Sequence, residues 1–243
     1  MPDSGQSPDP RDNRLLAAVE PEDFLRLAPY LEPVDLPRGK VLYKPGETIT
    51  FAYFPHDSVV SLVTVLEDGG SVEVAVFGRE AVFGFVSAFI SRESLGCYIV
   101  QLPGMASRIA VGRLRDAIEA SPPLRQLLLR YVEALLAQTF QTVACNTVHG
   151  VEARCCRWIL STHDRVDRDE LPLTHEVLAE LLGVHRTTVS LVTRTLQRAG
   201  LISQSKGVIT VTDRAGLEDI TCECYRVIRN NFERLLPKTY AQR

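Results

Sequence analysis

Hydrophobic and polar positions change period repeatedly along the chain, and each change predicts a different kind of element. Between residues 13 and 30, Leu15, Leu16 and Val19, then Phe24, Leu25 and Leu27, fall at helical spacing and predict one or two short helices. From 34 to about 109 the apolar residues gather into short runs rich in Val, Ile, Phe and Tyr, at 41–43, 48–54, 59–66, 71–77, 97–102 and 107–111. Turn signals separate them (Pro37-Arg38-Gly39, Lys44-Pro45-Gly46, Asp68-Gly69-Gly70, Pro103-Gly104), the pattern of an antiparallel sandwich or barrel. The helical period returns at Ser121-Pro122-Pro123, with Ser as N-cap and Pro at the first helical position. No Gly or Pro follows until Gly150, and Leu128, Tyr131, Leu135, Gln138, Thr142 and Cys145 alternate at spacings of three and four. That spacing predicts a coiled-coil seam joining two copies of the chain, although packing on the chain's own β-domain would give the same pattern. Gly150 marks a hinge, and a further helix over 151–163 follows it.

Residues 173–202 carry the most specific pattern. Val177, Leu178, Leu181 and Leu182 fit one helical face, and Val184, Val189, Val192 and Leu196 the next, with a tight turn at Gly183 between them. Two helices joined by a Gly-containing turn form a helix-turn-helix, whose second helix enters the DNA major groove. Behind it, β-branched residues flank Lys206-Gly207 in 201–211, a short hairpin that would form a wing. Charge supports this reading: the chain is slightly acidic (net charge −3), yet no acidic residue occurs from 181 through 212 while Arg186, Arg194, Arg198 and Lys206 do. Phosphate-facing surfaces exclude carboxylates and gain from Lys and Arg through counterion release. The candidate DNA contacts are therefore Thr174 at the helix start and Arg186, Thr187, Thr188, Ser190 and Arg194 on the second helix, with Ser205 and Lys206 at the wing.

The length allows two modest domains. No run of 18 apolar residues occurs, and the N-terminus lacks a basic region followed by an apolar one, so a soluble cytoplasmic protein without membrane contact is expected. The first dozen residues are expected to be disordered. Without an export signal, the six cysteines (Cys97, Cys145, Cys155, Cys156, Cys222, Cys224) are expected as free thiols. Cys155 and Cys156, adjacent on a helix, diverge by about 100° and cannot share one metal tetrahedron unaided. Cys222-x-Cys224 chelates better, but no second ligand pair stands near it in sequence, and His149, His163, His175 and His185 are scattered. Structural thiols, no metal and no cofactor are the expectation. Cys155 or Cys156 with His163 as base would make a thiol nucleophile, but no Gly-rich oxyanion turn accompanies them, and no enzyme is expected.

The order of short helix, β-domain, long helix and winged helix-turn-helix resembles the family of the cyclic AMP receptor protein and the fumarate-nitrate reduction regulator. The likeness spans nearly the whole chain. It is most specific in G-V-H-R-T-T-V-S (183–190) and L-Q-R-A-G-L-I (196–202), with Gly39, Pro45-Gly46 and F-G-R-E-A-V-F-G (77–84) in the β-domain. The resemblance implies an α+β chain in four parts: a terminus over 1–12, an antiparallel β-roll of cyclic-nucleotide-binding (jelly-roll) type over 13–120, a dimerisation helix over 121–149, and a winged helix-turn-helix domain over 150–243. It also implies a homodimer on an inverted-repeat site in double-stranded DNA, regulating transcription with RNA polymerase as a further partner. Arg186 falls where the family reads guanine, and Ser190 on another contacting position of the same helix. Thr187 replaces a common glutamate, and Leu191 a common arginine, so the half-site word is expected to differ. In the sensor, Gly84 aligns, but Phe85 stands where a glutamate would hold the ribose, and Leu95 and Gly96 where an Arg-Ser pair would hold the phosphate. Losing that arginine removes the strongest contact, so cyclic AMP is not the expected effector, unless a shifted loop brings in Arg92 and Glu93. A ligand- or redox-responsive module whose β-roll binds a non-nucleotide metabolite remains the alternative.

Overall fold

The computed structural model describes residues 8–67 and 69–239. Two short helices, α1 (Arg14–Ala17) and α2 (Pro21–Leu27), precede seven strands: β1 (Glu32–Leu36), β2 (Val41–Tyr43), β3 (Phe51–Pro55), β4 (Val59–Val65), β5 (Ser71–Phe77), β6 (Cys97–Leu102) and β7 (Gly104–Ala110). They form two antiparallel sheets of order β1-β7-β3 and β2-β6-β4-β5. The roll is filled by a cluster of stacked rings beside aliphatic side chains such as Leu36, Val60 and Ile109. Phe83 stacks on Tyr53 at 5.1 Å and on Tyr98 at 5.1 Å, and Tyr43 meets both tyrosines edge-on. A five-residue helix, α3 (Phe85–Phe89), lies between β5 and β6.

Two of these features were not expected from the sequence. Strand β1, mixed in polarity (Glu-Pro-Val-Asp-Leu), carries no alternation to announce it. Residue 111, read as the end of a strand, instead opens a helix, α4 (Val111–Ala120), which leads into α5 (Pro122–Val148). The expected disorder through residue 12 is also corrected at its end: residues 1–7 lie outside the described residues, but Pro10–Asp12 form a turn capped by Asp9, with the Arg11 guanidinium 4.1 Å over the Phe24 ring.

Ser121 caps α5 as expected, its hydroxyl accepting the Leu124 N–H at 3.1 Å. The face of α5 read as a pairing seam points inward, however. Leu128, Tyr131, Gln138, Thr142 and Cys145 are buried within one chain. Tyr131 donates to the Val82 carbonyl (2.7 Å), and the Gln138 amide to the Val76 carbonyl (3.2 Å). Tyr131 and Gln138 thus serve the chain's own β-domain, and a different apolar row stays exposed: Leu129, Leu136, Phe140 and Val143.

Beyond Gly150, α6 (Val151–His163) leads to β8 (Glu170–Leu171), then α7 (His175–Leu182), α8 (Arg186–Arg198), the hairpin β9 (Ile202–Ser205) and β10 (Val208–Val211), α9 (Arg214–Ile220) and α10 (Cys224–Leu235). This half is not a separate bead. Val59 and Leu102 of the roll share one apolar cluster with Trp158, Leu178 and Leu182, and α10 lies back along α5. Polar groups cross the same boundary. Trp158 donates from Nε1 to Glu73 Oε1 at 3.0 Å, and Ser61 donates to the other oxygen of Glu73.

Burial of Glu73 raises its carboxyl above the ordinary range, outweighing the hydrogen bonds from Ser61 and Trp158. A carboxyl raised on folding binds more protons in the native state than in the unfolded one between its two pKa values. Stability should therefore fall as pH rises from about 4.3 through the raised value. Glu73→Gln, which keeps an amide oxygen for Trp158, should flatten that decline, as read from urea midpoints across the pH range.

Candidate nucleic-acid interface

The helix-turn-helix is built as its sequence demands. Thr174 takes extended backbone angles and its hydroxyl accepts the Val177 N–H, opening α7. Gly183 closes it in the left-handed region (φ 63°), where a β-carbon would be strained and would stand 3.3 Å from Val72 of the roll. After a two-residue step α8 begins at Arg186. Val189, Thr193 and Leu196 face the core, so Arg186, Thr187, Leu191, Arg194 and Arg198 lie on the exposed side. Lys206 (φ 47°) and Gly207 (φ 79°) make a turn with two positive φ angles, which suits the twist of a two-stranded hairpin. β8 joins β10 on its other edge, giving the wing a third strand.

These pieces enclose a groove of about 520 Å³ between the start of α7, the start of α8 and the wing. Thr174, Arg186, Ser205 and Lys206 line it together. Thr187 and Arg194 are exposed on α8 outside the groove, and Thr188 is half-buried. Ser190 is engaged elsewhere, 2.9 Å from His175 Nδ1. His175 Nε2 lies 2.8 Å from Gln204 Oε1 and 3.2 Å from the Thr193 hydroxyl, which itself donates to the Val189 carbonyl. An amide oxygen can only accept, so the His175 proton sits on Nε2 and Nδ1 accepts from Ser190. One imidazole thus fixes α7, α8 and the wing relative to one another. Gln204 Nε2 is left without a partner among the described residues, beside the groove.

The acid-free window of the sequence has a neighbour it did not show. Glu176, in the first turn of α7, pairs with Arg186 Nε at 2.5 Å, both side chains more than half exposed. Its carboxyl is lowered, first by its own backbone N–H and also by Arg186. Glu176, His175 and Gln204 are the residues the sequence reading missed. Their only signal was position, directly after the Thr174 cap and within the wing.

Other candidates resolve differently. Cys155 and Cys156 are fully buried on α6, and burial pushes both thiols up, Cys156 to about 12, so neither is a nucleophile at neutral pH. His163 is held between the Asp169 carboxylate (2.7 Å) and the Arg214 guanidinium (2.7 Å), away from any base role toward them. In the roll, Gly84 takes a left-handed angle (φ 86°) and Phe85 is buried with its ring 6.0 Å from Tyr131 of α5. Leu95 is 76% exposed, and Gly96 packs against the Val63 carbonyl. Arg92 lies instead with Thr48 and Arg115 around a cavity of about 270 Å³. Cys145, His149, Cys222 and Cys224, dispersed in sequence, come together at the end of α5.

Comparison with known proteins agrees with this arrangement. Residues 153–220 match the model of the Crp-like helix-turn-helix domain, and residues 33–119 that of the cyclic nucleotide-binding domain. The chain belongs to the Crp/Fnr family of transcriptional regulators. The global nitrogen regulator of Synechocystis is 27% identical over 220 residues, 84% of this chain and 95% of that protein. The CRP-like cAMP-activated global transcriptional regulator of Mycobacterium tuberculosis is 26% identical over 72% of this chain and 82% of its own length. Among solved structures, FixK2 of Bradyrhizobium japonicum superposes with a TM-score of 0.68 at 15% identity, covering 79% of this chain and 98% of that one. A Crp/Fnr-family regulator of Eubacterium rectale gives 0.66 at 16%, covering 86% and 98%. Like its Crp/Fnr relatives, this chain is a DNA-binding regulator, and no helix among its described residues is long and apolar enough to cross a membrane.

His175→Ala would strand Ser190 and the Gln204 oxygen. A loss of about 1–3 kcal/mol of stability is expected. Denaturation of the full chain measures it, and DNA affinity should fall beyond the stability loss because α8 and the wing are no longer held in register.

Proposed function

We propose that this Crp/Fnr protein is a sequence-specific regulator that binds an inverted repeat as a homodimer and is not controlled by cyclic AMP. The observation that carries the reading is the groove that gathers Thr174, Arg186, Ser205 and Lys206 beside the exposed basic side of α8. Arg186, at the first turn of α8, would present its guanidinium to guanine O6 and N7, the pairing of its Nε with Glu176 leaving the terminal nitrogens for the base. Thr187 and Arg194, exposed on α8, would extend that contact along the DNA major groove. Thr174, Ser205, Lys206 and the unpaired amide of Gln204 would take phosphates. Ser190 and Thr188, half-buried, would support the helix more than touch bases.

Dimerisation is supported by the exposed row Leu129, Leu136, Phe140 and Val143, spaced seven, four and three residues apart on α5. This is one coiled-coil stripe, offset from the buried one. A two-fold pair along it would set two copies of α8 about 34 Å apart, one major groove to the next. Independence from cyclic AMP is supported by Phe85, which packs its ring on Tyr131 where the family's ribose carboxylate would stand, and by Leu95, exposed and apolar where the phosphate arginine would be. Contact with RNA polymerase, a non-enzymatic role and a cytoplasmic location complete the reading.

The test is a random-oligonucleotide selection with purified protein, repeated with cyclic AMP. An inverted repeat with guanine in each half, recovered without the nucleotide and unchanged by it, is expected; recovery only with cyclic AMP would overturn the pocket reading. On the selected site, Arg186→Ala should lose about 1–3 kcal/mol, roughly 5- to 150-fold in affinity, and relax selectivity at the guanine. Lys206→Ala should weaken all sequences alike and reduce the salt slope by about 1. Phe140→Glu should shift the protein to monomer in sedimentation and abolish binding to the full repeat.

A further inference from the structure

The last turn of α5 and the turn between α9 and α10 meet in a cluster that DNA binding does not use. Cys145 and His149, four residues apart, project from one face at the end of α5, His149 being its C-cap. Cys222 and Cys224 flank Glu223 where α10 begins. One donor atom from each of the four lies within 4.8 Å of every other. Cys145 Sγ is 3.5 Å from Cys222 Sγ, and Cys224 Sγ is 3.5 Å from His149 Nδ1.

We propose that Cys145, His149, Cys222 and Cys224 form a tetrahedral site for a single zinc-type ion that clamps the end of the long helix to the C-terminal helix. Zinc–sulfur bonds of about 2.3 Å and zinc–nitrogen bonds of about 2.0–2.1 Å imply ligand-to-ligand edges of roughly 3.8 and 3.5 Å. The separations between the helix end and the turn fall near those edges. Four donors so close leave space for one ion and not for a four-iron cluster, whose thiolates would stand further apart. Three sulfurs and one imidazole are a structural zinc set, with no open position for substrate.

The surroundings are those of a ligand set. The three thiols are buried, and none is in a disulfide. With Nδ1 facing the sulfurs, His149 Nε2 meets the Glu223 carboxylate at 3.3 Å, the outer partner that fixes the ring and tautomer of a metal-bound histidine. Gln141 donates from Nε2 to Cys224 Sγ at 3.0 Å, a bond that favours a thiolate. Zinc with three thiolates carries one net negative charge, the thiol protons having left to solvent on binding. Arg157 is buried and its Nε has no partner among the described residues, so it is a positive charge available nearby. Arg154 bonds Asn146 at the end of α5 and, from Nη2, the carbonyl of Leu182 just before the Gly183 turn. The ion would thereby stiffen the joint from which the helix-turn-helix hangs.

Metal content of the full-length protein, purified under reducing conditions and loaded with zinc, tests this. About one zinc per chain is expected. Cobalt exchanged into the protein should give the intense visible bands of a tetrahedral thiolate site and a sulfur-to-cobalt charge-transfer band. Cys222→Ser and His149→Ala should each lose the stoichiometric ion and the bands, while Cys97→Ser keeps both. Glu223→Gln should weaken zinc 10- to 100-fold in competition with a chromophoric chelator. Chelation should lower the melting temperature of the wild type and leave that of Cys222→Ser unmoved, a comparison that holds even if one variant is poorly folded. Wild-type protein that takes up no stoichiometric zinc or cobalt would overturn the proposal. So would iron with equimolar inorganic sulfide, or a Cys145–Cys222 disulfide as the form that resists chelator.

Discussion

The Arg165 guanidinium is the point on which the two halves of the chain depend. It is 1% exposed and meets Glu80, equally buried, at 2.8 Å, the Ser161 carbonyl at 2.6 Å and the Gln138 side-chain oxygen at 3.1 Å. Those three partners belong to the loop after β5, to α6 and to α5, so one side chain joins β-roll, long helix and DNA-binding half. Its stem runs so close to the roll that a β-carbon at residue 78 would stand 2.5 Å from Arg165 Cγ, and only glycine fits there. A buried ion pair gains little over a well-packed apolar one, because desolvation offsets the attraction. Breaking one member costs about 3–5 kcal/mol, because the other is left charged in the interior. Such a pair does not make the fold stable so much as fix one arrangement of its parts.

Around that fixed point, neighbouring contacts hold the same geometry. Arg79 donates to the Arg165 carbonyl (3.1 Å) and pairs with Asp167, and Trp158 reaches Glu73 across the boundary. Further out, Asp164 binds Arg214 (2.6 Å) and the Tyr225 hydroxyl (2.9 Å), so the segment beside Arg165 also anchors α9 and α10. The DNA-reading helix is therefore not on a loose tether in this arrangement. Its position relative to the roll is set by buried polar contacts, each with a geometric requirement, and by an apolar cluster shared by both halves. A shift of α8 against the roll would require exchanging one set of discrete contacts for another, not a gradual bend.

What the sequence made legible was local. The helix-turn-helix and its wing depend on short-range spacing, a cap at Thr174, a left-handed glycine at 183 and a two-residue turn at 206–207, all visible within thirty-odd residues. Strands β5 and β6 were legible for the same reason, as β-branched runs between turns. The face of α5 was not. That helix is apolar on two sides, one row at Leu128, Tyr131 and Gln138 and another at Leu129, Leu136 and Phe140, and a three-four spacing fits either. Only the position of the roll decides which row is inside. Gln138, a polar member of the inner row that looked like a register-setting position for a partner, is hydrogen-bonded to Val76 and Arg165 of the same chain.

The same distinction separates the two candidate sites. The groove between α7, α8 and the wing is built mainly from one continuous stretch, so Thr174, Arg186, Ser205 and Lys206 could be named from the pattern. Its missed members, His175, Glu176 and Gln204, act through side-chain geometry that periodicity does not encode. The thiol cluster joins positions 77 residues apart, with one pair on a helix end and the other across a turn. Either pair alone is weak, since two ligands do not define a tetrahedron. What makes four of them a site is that α10 packs back along α5, and that packing follows from buried Tyr225, Ile228 and Phe232 on a helix whose opposite side is charged. Apolar patterning at the C-terminus thus determines whether the cysteines meet at all. Fold and ligand chemistry at that corner depend on each other, because an ion held there would in turn keep α10 against the helix whose exposed row is free to pair with a second copy.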